Sequence, residues 1–199
     1  MLENWCWMKY ELRRMSRHYS HLDPKYLEAW QASNPEKSLP AEKCPDELLG
    51  GLIRSRNHNR AMWYLRQLAF ARFDMEVHHV KSHEACIALD ETRLYNDTTT
   101  RLFLVQDPGP EDRGHGQSDF GHLMAGYDAG YFSYLSAHVF AADLFESTFA
   151  DDPRDQGAWD RYRCGILEPG GSRDEMQMEE FLGRPINPQA LLRGFGEGA

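Results

Sequence analysis

Residues 121–134 read GHLMAGYDAGYFSY and place Tyr127, Tyr131 and Tyr134 at intervals of four and three, with His122 five residues before the first. A core is filled by Phe or Leu at no polar cost, whereas a buried Tyr must also find a partner for its hydroxyl. On a helix Tyr131 would lie about 40° and Tyr134 about 20° from Tyr127, one narrow stripe. Gly126 and Gly130 interrupt that stripe, each costing roughly 1 kcal/mol against Ala in a regular helix. If they loosen its start, Tyr127 sits on a loop beside the other two. One reading is a set of neutral donors placed where an oxyanion develops. The other is a buried aromatic helix whose hydroxyls are satisfied by backbone.

Metal chemistry is the next candidate, because there are nine histidines. The zinc-peptidase pattern HExxH sets two His one helical turn apart and a Glu to activate water. The nearest approach, His83-Glu84-Ala85-Cys86-Ile87, ends in Ile, so the second ligand is missing. His79 and His83 with His78 and Glu84 form a weak constellation lacking a third verified ligand. His138, on an apolar stretch, reads as a hydrogen-bonded core histidine. No GxSxG, P-loop or GxGxxG occurs, so hydrolase nucleophiles and nucleotide cradles lack support.

The elements that must position these groups are helical almost throughout. The expected helices cover residues 2–18 (Leu2, Trp5, Leu12 and Met15 inward), a segment opened by Asp23-Pro24 (Tyr26, Leu27, Trp30) and one capped by Asp46 and running to Ile53. The longest runs from Asn57 to Val80, with no Gly or Pro and a broad face of Ala61, Leu65, Leu68, Ala69, Arg72, Phe73, Glu76 and Val77. Residues 90–105 read as a helix, although TRLFLV also suits a strand. From Asp128 to Phe149 apolar residues go nearly all round, the pattern of a buried helix. Shorter helices follow at 158–166, 174–182 and near Leu191, with PGG at 169–171 as a helix stop. Loops are expected at 33–45 and 105–119, both taken as mobile. The fold class is all-α and multihelical.

The 199 residues carry a net charge of −9, which disfavours a nucleic-acid partner. The four Cys form no CxxC pair and read as reduced thiols of a cytosol-like compartment. Met1 to Met8 hold Trp, Glu and Asn and not the basic head and apolar run of a secretory leader, and no apolar stretch approaches a membrane span, so a cytoplasmic location without a membrane partner is expected, an organelle signal upstream being the alternative. The opening MLENWCWMKY resembles mid-protein sequence: either it docks by its two Trp, or the chain starts inside a longer ancestral domain.

Taken together, MLENW, SRNHNRAMWYLRQLAFARFDMEVH at 55–78, FGHLMAGYDAGYFSYL at 120–135 and YRCGILEPGGSRD at 162–174 resemble the thimet oligopeptidase family, with neurolysin, saccharolysin and oligopeptidase A. The resemblance implies the C-terminal portion of a zincin-like, zinc-dependent metalloendopeptidase catalytic domain cutting short peptides, with residues 1–199 a single partial domain. It implies that His122 and Tyr134 contact the developing oxyanion, and that His122, Gly126, Tyr127, Tyr131 and Tyr134 contact the peptide. It also implies zinc as cofactor with no ligand in this chain, since HExxH and the third ligand of the family lie upstream of the MLENW match. The expected partners are short peptides and the missing upstream half. Ala125 and Phe132-Ser133 depart from the family's Gly and Tyr-Gly. The alternative is a non-catalytic all-α peptide-binding or interaction module. A domain cut through its core would expose Trp5, Trp7 and the tyrosine stripe, and would associate.

Overall fold

The structure is a computed structural model describing residues 1–170 and 174–196. Gly171 of the PGG stop and residues 172–173 of the YRCGILEPGGSRD stretch lie outside the described residues. Among the described residues there is no β-strand. The helices are α1 (Leu2–Trp5), α2 (Lys9–Met15), α3 (Pro24–Ser33), α4 (Asp46–Ser55), α5 (Arg60–His78), α6 (His83–Ile87), α7 (Glu91–Phe103), α8 (Ser133–Thr148), α9 (Gln156–Tyr162), α10 (Asp174–Leu182) and α11 (Gln189–Gly196). TRLFLV is therefore helical up to Phe103. The four cysteines are free thiols.

The chain divides into two compact units. One comprises Met1–His58 with Ala141–Ala199, and the other Asn59–Phe140.

In the first unit, side-chain caps set several helix starts. Asp23 accepts from Lys25 N–H at 3.0 Å with Pro24 in the first turn of α3, and Asp155 accepts from Gly157 and Ala158 N–H to open α9. Asp46 is not a cap: it is the first residue of α4, and its carboxylate instead takes Arg13 at 2.7 Å and Lys9 at 3.1 Å. The continuous helix expected over 2–18 is broken at Cys6–Met8, and its inward face differs. Leu2 and Met15 are exposed, while Glu11 is buried. The reason is a bidentate pairing: both carboxylate oxygens of Glu11 accept from Arg154 at 2.8 Å, and Arg14 adds a bond at 3.2 Å. Trp5 and Trp7 are half-buried, not exposed. Trp5 meets Trp159 edge-on at 5.2 Å, and the Arg56 guanidinium lies 5.4 Å over Trp7. The core here is Leu144, Phe149, Ala158 and Tyr162, packed against Met1, Phe145, Trp159, Ile166, Met178, Phe181 and Leu182. Gly170 carries the positive φ (+70°) of the predicted stop.

In the second unit, α5 is the spine. The buried stripe is Gln67, Phe70, Ala71 and Asp74, one side of the helix at i, i+3, i+4, i+7, flanked by Ala69 and Phe73. Ala61, Leu68, Arg72 and Glu76, expected inward, are exposed. Phe70, Ala71, Phe73, Phe120, Leu123 and Tyr131 form the core of this unit, with Leu94, Tyr95 and Tyr134 among the residues packed on it. The segment 105–119 is tied back to α7. Arg113 bonds Asp97 at 2.7 Å, Asn96 donates to the Gly114 carbonyl at 2.9 Å, and Gln117 donates to Thr92 at 2.6 Å. His138 is the hydrogen-bonded histidine that its context predicts, with Nδ1 2.8 Å from the Tyr64 hydroxyl.

Candidate functional site

Within the second unit, two 3-10 turns, Gly116–Asp119 and Gly121–Met124, carry the chain to the aromatic segment. The three phenols do not share one helix. Residues 128–132 form turns, and α8 begins only at Ser133, so Tyr134 alone stands on it. The backbone explains the delay. Gly126 has φ +90° and Ala129 φ +53°, and neither conformation continues a right-handed helix. The turn nevertheless gathers the side chains that sequence spacing grouped. The His122 ring lies 5.7 Å from Tyr127, 6.0 Å from Tyr131 and 6.5 Å from Tyr134, centroid to centroid. Tyr127 stacks on Tyr134 at 5.4 Å, and Tyr131 meets Tyr134 at 4.9 Å. Gly126 stands exposed at the near end of the turn.

Burial divides the set. His122 and Tyr127 are exposed, Tyr134 is half-buried and Tyr131 is buried. The Tyr131 hydroxyl donates its single proton to Gln67 Oε1 at 2.8 Å, so Tyr131 offers a ring edge and an acceptor lone pair but no free donor. Tyr131 is not sealed away, however. With His122, Phe120, Phe70, Gln67 and Arg66 it lines an open cleft of about 470 Å³. Tyr95, Gly116 and Asp119 complete the lining.

Tyr131 and Tyr134 are pushed further from ionisation. The Tyr127 phenol beside it, then burial, pushes the Tyr134 pKa above the ordinary phenol value. Burial does the same for Tyr131, against a smaller opposing pull from Arg66. A neutral phenol is a donor that adds no charge, and these remain neutral through the physiological range.

Gly116 sets one wall of the cleft. A Cβ built there would stand 2.6 Å from Tyr95 Cε1, a contact that real side chains do not make. Gly116→Ala is therefore expected to push the Tyr95 ring and to cost about 1–3 kcal/mol of stability as an overpacking change. Chemical denaturation of the variant beside the parent measures it, with Gly114→Ala, where no atom lies within 4 Å, as the tolerated control.

Sequence reading missed Gln67 and Asp74. Asp74 is fully buried and accepts from Ala129 N–H at 2.9 Å and Tyr131 N–H at 3.0 Å, while His78 Nδ1 lies 2.9 Å from the same carboxylate. The available signal was their place in the apolar i, i+3, i+4, i+7 stripe: a polar residue there needs a buried partner.

Zinc, which the family resemblance implies, finds no holder among the described residues, where no group of three or more His, Cys, Asp and Glu side chains could hold a metal ion. His78, in the run His78, His79, His83, Glu84, has Nδ1 committed to the Asp74 carboxylate and carbonyl. The residues present do not fit the ion. Among the described residues no helix is long and apolar enough to cross a membrane.

The described residues thus form helices and turns, one of which gathers an imidazole and three phenols beside a cleft. Residues 1–197 match Peptidase family M3, and the chain belongs to that family. It is 34% identical over 202 residues to oligopeptidase PhomG' of Diaporthe leptostromiformis, covering 96% of this chain and 17% of that protein. It is 34% identical over 198 residues to saccharolysin of Saccharomyces cerevisiae, covering 98% of this chain and 24% of that protein. A third relative, the organellar oligopeptidase A (chloroplastic/mitochondrial) of Arabidopsis thaliana, is 32% identical over 204 residues, covering 98% of this chain and 22% of that protein. The chain thus spans no more than about a quarter of the length of these relatives.

Proposed function

We propose that this chain is the peptide-contacting part of a zinc-dependent metalloendopeptidase acting on short peptides. His122 and Tyr134 donate hydrogen bonds to the peptide carbonyl oxygen on which negative charge develops. Tyr127 and the Tyr131 ring form the wall on which the peptide lies, and the positive φ at Gly126 turns the backbone under them. The observation carrying this reading is the convergence of His122, Tyr127, Tyr131 and Tyr134 within 6.5 Å, two of them on the cleft wall. Membership of a peptidase family supports it. The zinc ligands are supplied by a polypeptide segment other than these 199 residues, so the chain by itself binds peptide and does not cleave it. Either a cytoplasmic or an organellar setting suits this reading.

The test is titration of the purified chain with a fluorescent peptide of about ten residues, assayed in parallel for cleavage with and without added zinc. Saturable binding without cleavage is expected. Tyr134→Phe removes one donor and should weaken binding by about 2- to 12-fold, the equivalent of one neutral hydrogen bond of ~0.5–1.5 kcal/mol. Absence of saturation, or unchanged affinity in the variant, would refute the peptide wall. Chelator-sensitive cleavage by the pure chain would refute the separation of the zinc ligands from it. A second reading, a non-catalytic peptide-binding module, is favoured by the lack of a metal-holding group among the described residues. Cleavage that appears on adding a zinc-bearing segment of a family member excludes that module.

A further inference from the structure

We infer that Asp74 is a positioning residue for the aromatic site: its carboxylate clamps the backbone at Ala129 and Tyr131 and so sets the turn that brings the phenols to His122. The inference rests on the reading of that cluster as a peptide wall, and it names the group that builds the wall.

Both carboxylate oxygens are engaged in the turn. Oδ1 accepts from Ala129 N–H and Oδ2 from Tyr131 N–H, at 2.9 and 3.0 Å. His78 Nδ1 touches two acceptors, Asp74 Oδ1 and the Asp74 carbonyl, so Nδ1 carries the hydrogen and holds the carboxylate from behind. Among the described residues neither Ala129 N–H nor Tyr131 N–H has a main-chain acceptor. Asp74 is therefore what satisfies them. A buried carboxylate accepting backbone N–H groups forms strong charge-assisted bonds. Their job is visible at Ala129, whose φ of +53° is disfavoured for any residue with a Cβ. Gln67, two turns back on the same stripe of α5, takes the Tyr131 hydroxyl at 2.8 Å. One helix stripe thus fixes Tyr131 at both backbone and hydroxyl, and the turn so fixed leads directly into α8, which presents Tyr134.

Amide hydrogen exchange followed by NMR on the 199-residue chain tests this without peptide. In the parent, the Ala129 and Tyr131 amides should exchange at least about tenfold more slowly than that of exposed Asp128 in the same turn, as main-chain donors with a bonded acceptor do. Asp74→Asn, which keeps one acceptor and presents a donor to the other N–H, should erase that protection at one or both sites and displace the His122 and Tyr134 ring resonances. Adding Ala129→Gly should return those resonances toward the parent, because glycine adopts the positive φ without the clamp; a role confined to overall stability predicts no such rescue. The inference is overturned if the two amides are unprotected in the parent, or if folded Asp74→Asn leaves protection and ring resonances unchanged. Should Asp74→Asn not fold, the parent exchange profile decides. A peptide titration separates this from the reading beneath it. A parent chain that binds no peptide refutes the peptide wall while exchange still judges the clamp. Lost protection with unchanged peptide affinity refutes the positioning role.

Discussion

Phe149→Ala is expected to lower the unfolding free energy by about 3–5 kcal/mol, the range for deleting a fully buried aromatic side chain. Phe149 is fully buried just beyond the C-terminal end of α8. Its ring lies 4.4 Å from Trp159 and 5.9 Å from Tyr162, so both neighbours lose packing at once. Neither is a small side chain able to slide into the space, and the cavity term should be largely retained. Urea unfolding followed by tryptophan fluorescence measures the change. Phe132→Ala serves as the contrast: Phe132 is 51% exposed, and its truncation should cost well under half as much. Equal losses for the two would mean that the core of the first unit is not centred on Phe149.

Arg184→Met should destabilise by about 2–3 kcal/mol, less than the ~3–5 kcal/mol of a wholly buried pair because solvent reaches the guanidinium. The Arg184 guanidinium gives two bonds to Asp143, at 2.6 and 2.9 Å, and its side chain is 39% exposed against 4% for Asp143. Asn187 N–H, at 2.8 Å, would be left as the main support of a buried charge. The effect has a pH signature. Arg184 holds the Asp143 carboxyl below the usual carboxylate range, with the Asn187 N–H assisting against burial. A depressed folded pKa contributes stability that is complete above the unfolded value of about 4 and is lost as pH falls through the folded one. The gap between parent and variant should therefore be full at pH 7 and should narrow below about pH 4. A gap that stays constant down to pH 2 would locate the loss in packing of the arginine stem and not in charge.

The parts of the fold legible in sequence were those with local causes. Asp23-Pro24, the unbroken run of α5 and the glycine after Pro169 each act within one or two turns of chain, and each marked its element correctly. Amphipathic faces were less legible, for one recurring reason. Spacing does not tell which polar side chains turn inward: Arg72 and Glu76 were placed on the inner face and are exposed, whereas Glu11, Gln67 and Asp74 are buried because each has a partner distant in sequence. Once Gln67 and Asp74 are inward, Leu68, Arg72 and Glu76 must turn outward, and the assigned face of α5 rotates with them. The all-round apolar pattern of α8 likewise did not yield full burial: only Asp143 and Leu144 are buried along it, and Asp143 owes its place to Arg184. At the site, the residue types and their proximity could be read from spacing. Their division of labour could not. Tyr131 was grouped with Tyr127 and Tyr134, whereas its proton is taken by Gln67, and the turn that replaces the first helical residues depends on a carboxylate more than fifty residues upstream.

The most direct test of the account is NMR titration of the chain with an uncleaved peptide of about ten residues, following the His122 imidazole and the tyrosine rings. Saturable shifts are predicted at His122, Tyr127 and Tyr134, with smaller ones at Tyr131, whose hydroxyl stays on Gln67. Saturable shifts confined to other parts of the chain, with these four rings unmoved, would contradict it.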